Sequence, residues 1–264
     1  MRPKDTTIII SGGASGLGLD TAQRLHREGA YVLLLDLNTE AGEAVVKELG
    51  DERAKFVKTD ITDSSSIKAA LEVGAEWIQK TGKPFSAIVA AAGVSSAAKI
   101  YDARSQSPLP ISNIDFVMNV NVRGTLDLVR QGVPHLIKNE PFTEEGERGV
   151  IILVSSSAAF DGQPGQVTYA ASKGAIASVT LPLARDLSRY GIRVVAIAPS
   201  LFDSNMTKGL PAKARASLER VMEFPRRPGK PEEFSHLVQS SIENTMLNGT
   251  VIRLDGAMRM PSKM

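Results

Sequence analysis

The sequence contains no cysteine, which excludes a disulfide framework, a thiolate nucleophile and a zinc–thiolate site. Histidine is nearly as scarce. His26, His135 and His236 lie far apart with no metal-ligand spacing, so no metal centre is expected. Charge of one sign is also lacking: a net charge of +2 over 264 residues is too small to argue for nucleic acid or an anionic membrane surface. No aromatic–basic stripe favours base stacking. No apolar run approaches membrane-spanning length. Met1 leads almost directly into Thr6-Thr7-Ile8-Ile9-Ile10, which leaves no room for a leader peptide. The expectation is a cytoplasmic protein with no membrane or nucleic-acid partner.

What is present is the balance of a globular α/β chain. Hydrophobic residues make up 42% and charged ones 23%, and the length suits one domain spanning 1–264. Short β-branched runs predict strands over Thr6–Ser11, Tyr31–Asp36, Ala54–Lys58, Ala87–Ala91, Val150–Ser155, Val194–Ala198 and Val251–Leu254. Between them, amphipathic spacing predicts helices over Leu17–Glu28, Glu40–Leu49, Ser64–Lys80, Ile114–Lys138, Tyr169–Tyr190 and Glu232–Glu243. Asp63 is placed to cap the third helix, and Gly29 and Gly50 follow the first two. Strand–helix alternation of this kind means right-handed βαβ units: a Rossmann-type, doubly wound parallel sheet with helices on both faces.

The run Ser11-Gly12-Gly13-Ala14-Ser15-Gly16-Leu17-Gly18 follows the first strand and opens the first helix. Glycines there let the backbone turn tightly and approach a pyrophosphate, whose charge meets the helix N-terminal N–H groups. Asp36 closes the second strand, just before Leu37, where a carboxylate can accept hydrogen bonds from adenosine ribose hydroxyls. A 2′-phosphate at that spot faces like charge, a repulsion of about 4 kcal/mol at ~4 Å and an effective dielectric of ~20, before screening. No Arg or Lys lies within the glycine run or at Leu37 and Asn38 to welcome that phosphate, so the expected cofactor is NAD. Asp60-Ile61 follows the third strand, where Asp60 can receive the adenine amino group or serve as a turn aspartate. Ala92 and Gly93 end the fourth strand with residues small enough for a cofactor to pass.

In the other half, Tyr169-Ala170-Ala171-Ser172-Lys173 puts Tyr169 and Lys173 on one helix face. A phenol is a poor base at neutral pH, but a neighbouring ammonium and an oxidised nicotinamide both favour phenolate, so its pKa is expected to fall. Ser156 ends the fifth strand, so strand end and helix start converge at one sheet edge. Asn121, a poor helix former within the long preceding helix, is free to spend its side chain on a water.

The glycine run, Asp36, Asn121, Ser156, Tyr169 and Lys173, in this order, resemble the short-chain dehydrogenase/reductase family over essentially the whole chain. The resemblance implies Tyr169 as general acid/base, with Ser156 on the reacting oxygen. It also implies Lys173 on the nicotinamide ribose and Asn121 holding a relay water. Pro199-Ser200-Leu201-Phe202-Asp203-Ser204 looks like the family's loop after the sixth strand, which implies cofactor contacts for Pro199, Phe202 and Ser204. Within the family, Ala158-Ala159-Phe160, Gly162-Gln163, Pro231-Glu232-Glu233-Phe234, Leu247-Asn248-Gly249 and Val251–Gly256 resemble the type 10 17β-hydroxysteroid dehydrogenases, also called type 2 3-hydroxyacyl-CoA dehydrogenases. Three departures from the pattern stand out. Ser11 stands for a Thr and Ser200 for a Gly, and Ala90-Ala91 replaces an Asn-containing pair that steadies the sheet.

The expected activity is oxidation of a secondary alcohol, with 3-hydroxyacyl-CoA favoured over a hydroxysteroid or other small alcohol. A non-catalytic dinucleotide-binding scaffold or sensor is the reading from another class; the full Asn121, Ser156, Tyr169 and Lys173 set counts against it. Phe160, Leu201, Phe202, Met206 and Leu210 are expected to wall the substrate, and Lys99, Lys208 and Lys213 to meet CoA phosphates. The resemblance further implies a homotetramer paired through Ile114–Lys138 and Tyr169–Tyr190, with Met258–Met264 packing on a neighbour.

Overall fold

The computed structural model describes residues 1–203, 207 and 218–260. Strand β1 (Thr7–Ser11), β2 (Tyr31–Asp36), β3 (Ala54–Lys58) and β4 (Phe85–Ala90) come first in the chain. A two-stranded hairpin of β5 (Tyr101–Asp102) and β6 (Ser107–Pro108) follows. The strands β7 (Gly149–Val154), β8 (Ile192–Pro199) and β9 (Thr250–Leu254) come last. Successive side chains along a strand point to opposite faces, so Ile9, Leu33, Ile88, Ile151 and Val194 enter one core while Ile8, Ile10, Leu34, Val89 and Ile152 enter another.

Both cores need cover, and the helices divide between them. The helices α1 (Gly16–Arg27) and α2 (Thr39–Leu49), with α7 (Pro231–Glu243) near the chain's end, supply Leu25, Val45, Phe234 and Val238 to one face. The other face receives Ile67 and Trp77 from α3 (Ser64–Thr81), Leu128 and Leu136 from α5 (Thr125–Ile137), and Ile176 from α6 (Val167–Leu187). Phe234 is fully buried, so truncating it to alanine removes roughly 3–5 kcal/mol.

Among the described residues the main sheet has seven strands in the order β3-β2-β1-β4-β7-β8-β9, each neighbouring pair parallel. This is the expected doubly wound arrangement. From β1 the chain steps outward through β2 and β3, then returns to the far side of β1 as β4. That reversal leaves a crevice beyond the carboxyl ends of β1 and β4, where folds of this kind bind ligands.

Most strands and helices differ from the sequence reading only at their ends. The helix expected over Ile114–Lys138 is instead three pieces: α4 (Ile111–Met118), a π-helical turn (Asn119–Gly124) and α5. The hairpin β5–β6 was not anticipated, because its two-residue strands are exposed and carry no apolar alternation. Met258, expected to pack on a neighbouring subunit, is buried within its own chain against Leu201, Leu218 and Met222. The remainder of that tail, 261–264, lies outside the described residues.

Candidate active site

A cavity of about 380 Å³ opens at the crevice between β1 and β4. Of the residues expected to contact a cofactor or substrate, Ser11, Gly12, Ser15, Gly16, Leu17, Gly18, Asp36, Leu37, Ile61, Ala92 and Gly93 line it. So do Ser156, Tyr169, Lys173, Pro199 and Phe202. Asp60 and Asn121 do not, and Ser204 lies outside the described residues.

The glycine run is shaped by close approach. Gly12 has φ +67°, and a Cβ there would come within 2.9 Å of Ala92 Cα. A Cβ on Gly18 would lie 2.2 Å from the Gly12 carbonyl oxygen, so only glycine lets α1 begin against the loop. No acidic residue occupies the first turn of α1, and its N-cap Ser15 makes no side-chain cap hydrogen bond. That leaves helix N–H groups open to an anion. Asp36 is held at the loop's flank: its Oδ2 accepts from Ala14 N–H at 3.2 Å and its Oδ1 from Asn38 N–H at 3.1 Å. A carboxylate has about four acceptor sites, so lone pairs remain for sugar hydroxyls. A dinucleotide fits this donor set and this cradle.

Asp60 closes a turn after β3: its Oδ1 accepts from both the N–H and the hydroxyl of Thr62. Thr59 and Ile61 on either side line the cavity instead.

At the catalytic end, Ser156 caps a short 3₁₀ turn (Ser157–Ala159), accepting from Ala158 N–H at 3.1 Å. Its hydroxyl donates to the Pro199 carbonyl at 3.4 Å, and it lines the cavity together with Tyr169 and Lys173. Tyr169 in the protein alone lacks the nicotinamide that was expected to lower its pKa. Burial pushes its phenol above the ordinary value, and the Ser156 hydroxyl works against that rise without reversing it. Lys173 does not supply the missing depression in the protein alone. Its ammonium donates to the Val154 carbonyl at 2.8 Å and sits 5.9 Å from the Tyr169 ring centroid. Burial brings its pKa down to about 8. The backbone carbonyl of Lys173 is held in turn by the Ser155 hydroxyl at 2.8 Å.

Asn121 is fully buried in the π-helical turn, and its side chain is committed to protein rather than to a water. Its Oδ1 accepts from Val94 N–H and its Nδ2 donates to the Val94 carbonyl and to the Ser172 hydroxyl. Ser172 passes the connection on by donating to the Tyr169 carbonyl at 2.8 Å. Gly93 sits over this network: a Cβ there would lie 3.2 Å from Asn121 Oδ1 and 3.4 Å from Lys173 Nζ. Ser172 was missed in the sequence, although a serine three residues along a helix from Tyr169 is placed to bond back to its carbonyl. Val94, Val120 and Ser155 also line the cavity, each beside a residue that was noticed.

The expected substrate wall is only partly there. Phe202 lines the cavity and meets Phe234 edge to face at 6.4 Å. Leu201 turns away into the cluster around Met258, and Phe160 is half exposed outside the cavity. Lys99 is exposed and does not line it. Met206, Leu210, Lys208 and Lys213 lie outside the described residues. The Ala90-Ala91 departure is partly compensated, because the Ser11 hydroxyl accepts from Ala92 N–H at 3.2 Å and ties β1 to the end of β4. Among the described residues, no group of three or more His, Cys, Asp or Glu could hold a metal ion, and no helix is long and apolar enough to cross a membrane.

Comparison with known proteins converges on one family. A family model described as short chain dehydrogenase matches residues 6–215. A 3-hydroxyacyl-CoA dehydrogenase type-2 of Bos taurus is 46% identical over 97% of this chain and 96% of its own. The crystal structure of a 3-hydroxyacyl-CoA dehydrogenase type-2 from Mycobacterium avium superposes with a TM-score of 0.86 at 36% identity, covering 98% of this chain and 97% of that one. A 3-ketoacyl-(acyl-carrier-protein) reductase from Brucella melitensis, complexed with NADH, gives a TM-score of 0.81 at 28% identity over 96% of this chain and 98% of its own.

Proposed function

The chain belongs to the short-chain dehydrogenase family, and on that premise we propose that it is an NAD-dependent oxidoreductase interconverting 3-hydroxyacyl-CoA and 3-ketoacyl-CoA. The observation that carries the reading is the meeting of Ser156, Tyr169 and Lys173 in one cavity that begins on the glycine run.

When bound, the dinucleotide supplies the hydride in reduction and accepts it in oxidation. The protein supplies everything else. The Ser156 hydroxyl donates to the substrate's carbonyl oxygen and fixes it within reach of Tyr169. The Tyr169 hydroxyl gives that oxygen its proton in reduction and takes it back in oxidation. The phenol of the protein alone is raised rather than lowered, so the cation that favours phenolate is the oxidised nicotinamide, with the Lys173 ammonium as second contributor. Lys173 holds the nicotinamide ribose, and Asn121 fixes Gly93-Val94 at the cavity's floor. Asp36 receives the adenosine ribose hydroxyls and repels a 2′-phosphate, which selects NAD over NADP. The protein acts in the cytoplasm as a homotetramer, without nucleic-acid or membrane partners.

The test is NADH oxidation and NAD reduction across short acyl-CoA, steroid and simple keto or hydroxy substrates. Acetoacetyl-CoA should be reduced, with KM raised by salt as CoA phosphate contacts are screened. Turnover of steroids or simple alcohols with none of acetoacetyl-CoA would assign the site to the alternative substrate class.

A further inference from the structure

Two chain segments leave the catalytic end of the cavity. One runs from Ser156 through the 3₁₀ turn and Phe160-Asp161 to α6 and Tyr169. On the other side Ser200 and Phe202 line the cavity, and Leu201 between them packs with Leu218 and Met222. Between them lies the chain's last described stretch, from β9 to Met260. In register, β9 pairs Arg253 with Ala198 and Leu254 with Pro199, and Ser200 N–H donates to the Leu254 carbonyl at 3.2 Å. The stretch is therefore anchored on the strand that ends at the cavity.

From that anchor it grips both segments. Arg253 Nη2 donates to Asp161 Oδ2, and its Nε donates to Asp255 Oδ2 at 2.6 Å. The guanidinium lies 5.2 Å from the Phe160 ring centroid, stacked on the same segment. On the other side Met258 is buried with Leu201, Leu218 and Met222, and the Gly256 carbonyl accepts from Phe224 N–H at 3.4 Å. Arg259 adds a bond to Asp255 at 3.0 Å. Arg253, Asp161 and Asp255 are only partly exposed, so the guanidinium bridges its two carboxylates in a medium that screens them less than water does.

We infer that Arg253 is a positioning residue that pins the Ser156–Tyr169 segment to the C-terminal stretch, and through it to the opposite wall, so that the substrate mouth keeps one width. The inference rests on the 3-ketoacyl-CoA reading for its substrate and on the ion-pair geometry for its mechanics. Arg253 touches neither the cavity nor the reacting atoms. Its loss should therefore loosen substrate seating while cofactor binding and the proton chemistry persist.

The experiment compares wild type with Arg253→Met, Arg253→Lys, Asp161→Asn and the Arg253→Met/Asp161→Asn double variant. Expected for Arg253→Met is an acetoacetyl-CoA KM raised on the order of tenfold, kcat within about threefold, and NADH affinity within about twofold. Asp161→Asn should reproduce the KM effect, the double variant should add little beyond either single one, and Arg253→Lys should recover part of it. Hydrogen exchange, read on the same proteins, should speed up in 157–166 and 218–224 and stay unchanged in 12–18. An unchanged KM and unchanged exchange in Arg253→Met, or in Asp161→Asn if the first variant does not fold, overturns the inference. If wild type turns over no 3-ketoacyl-CoA, the substrate reading fails; exchange still decides the clamp, and wild-type protection of both walls in the variants refutes it.

Discussion

Asn121 holds Val94 by both of its backbone groups, accepting from the N–H at 2.8 Å and donating to the carbonyl at 2.9 Å, as a neighbouring strand would. The pairing fastens the loop after β4 to the π-helical turn, and Ser172 extends it to the carbonyl of Tyr169. Asn121→Ala should therefore cost roughly 2–4 kcal/mol, since it strands buried polar groups. Urea denaturation measures the loss. Unchanged stability would mean that the network is not a fastening.

The proposed preference for NAD over NADP rests on one carboxylate. Asp36→Ala should weaken NADH binding and reduce its advantage over NADPH at least tenfold, because the like-charge repulsion of a 2′-phosphate disappears. The comparison is of Kd for the two dinucleotides in each protein. A wild type that prefers NADPH would refute the role given to Asp36.

Lys173 makes stability depend on pH in a defined direction. Burial lowers its pKa to about 8 in the folded protein, from 10.5 ordinarily. A lowered folded pKa means that the unfolded chain binds more protons between those values. The stabilising contribution is then complete above 10.5 and lost as pH falls through 8. Wild type should consequently gain on Lys173→Met by about 2–3 kcal/mol as pH rises from 7 to 10.5, at 1.36 kcal/mol per pKa unit. Urea midpoints for both proteins across that range test it. A difference that is flat with pH would show the ammonium to be effectively solvated.

The proposed homotetramer needs apolar surface to pair through. Ile111 and Phe116 on α4, with Val167 and Leu181 on α6, are each more than two-fifths exposed, and the two helices pack together in the fold. Light scattering should give a mass near four times the 28.2 kDa of one chain. Phe116→Glu should dissociate it. A single-chain mass for the wild type at micromolar concentration would contradict the homotetramer.

Much of this was legible in the sequence because the features are local. The strands Tyr31–Asp36 and Ala54–Lys58 announce themselves by β-branched and apolar runs, and the glycine run follows directly from a strand into a helix. What was not legible depends on contacts distant in sequence. Asn121 looked like a helix residue free for water, but Val94 and Ser172 claim its side chain, and the insertion that turns it inward is a π-helical turn without a sequence signature. Asp60 was ambiguous because a turn aspartate and a ligand aspartate read alike, and the partner that shows the turn, Thr62, is seen only in the fold. The upward push on the Tyr169 phenol in the protein alone was not legible because burial is set by packing, whereas its Lys173 neighbour is visible at once. Leu201 and Phe160 were assigned to a substrate wall by type, yet packing turns one inward toward Met258 and leaves the other under Arg253.

The most direct test is the reduction of acetoacetyl-CoA by NADH, followed for wild type and Tyr169→Phe with cofactor affinity measured in parallel. The account predicts turnover by wild type. It predicts a fall of about 10²–10⁴-fold in the variant, the typical contribution of a positioned proton donor, with NADH affinity and fold retained. Near wild-type rates in Tyr169→Phe, or no acetoacetyl-CoA reduction by a wild type that binds NADH, would contradict it.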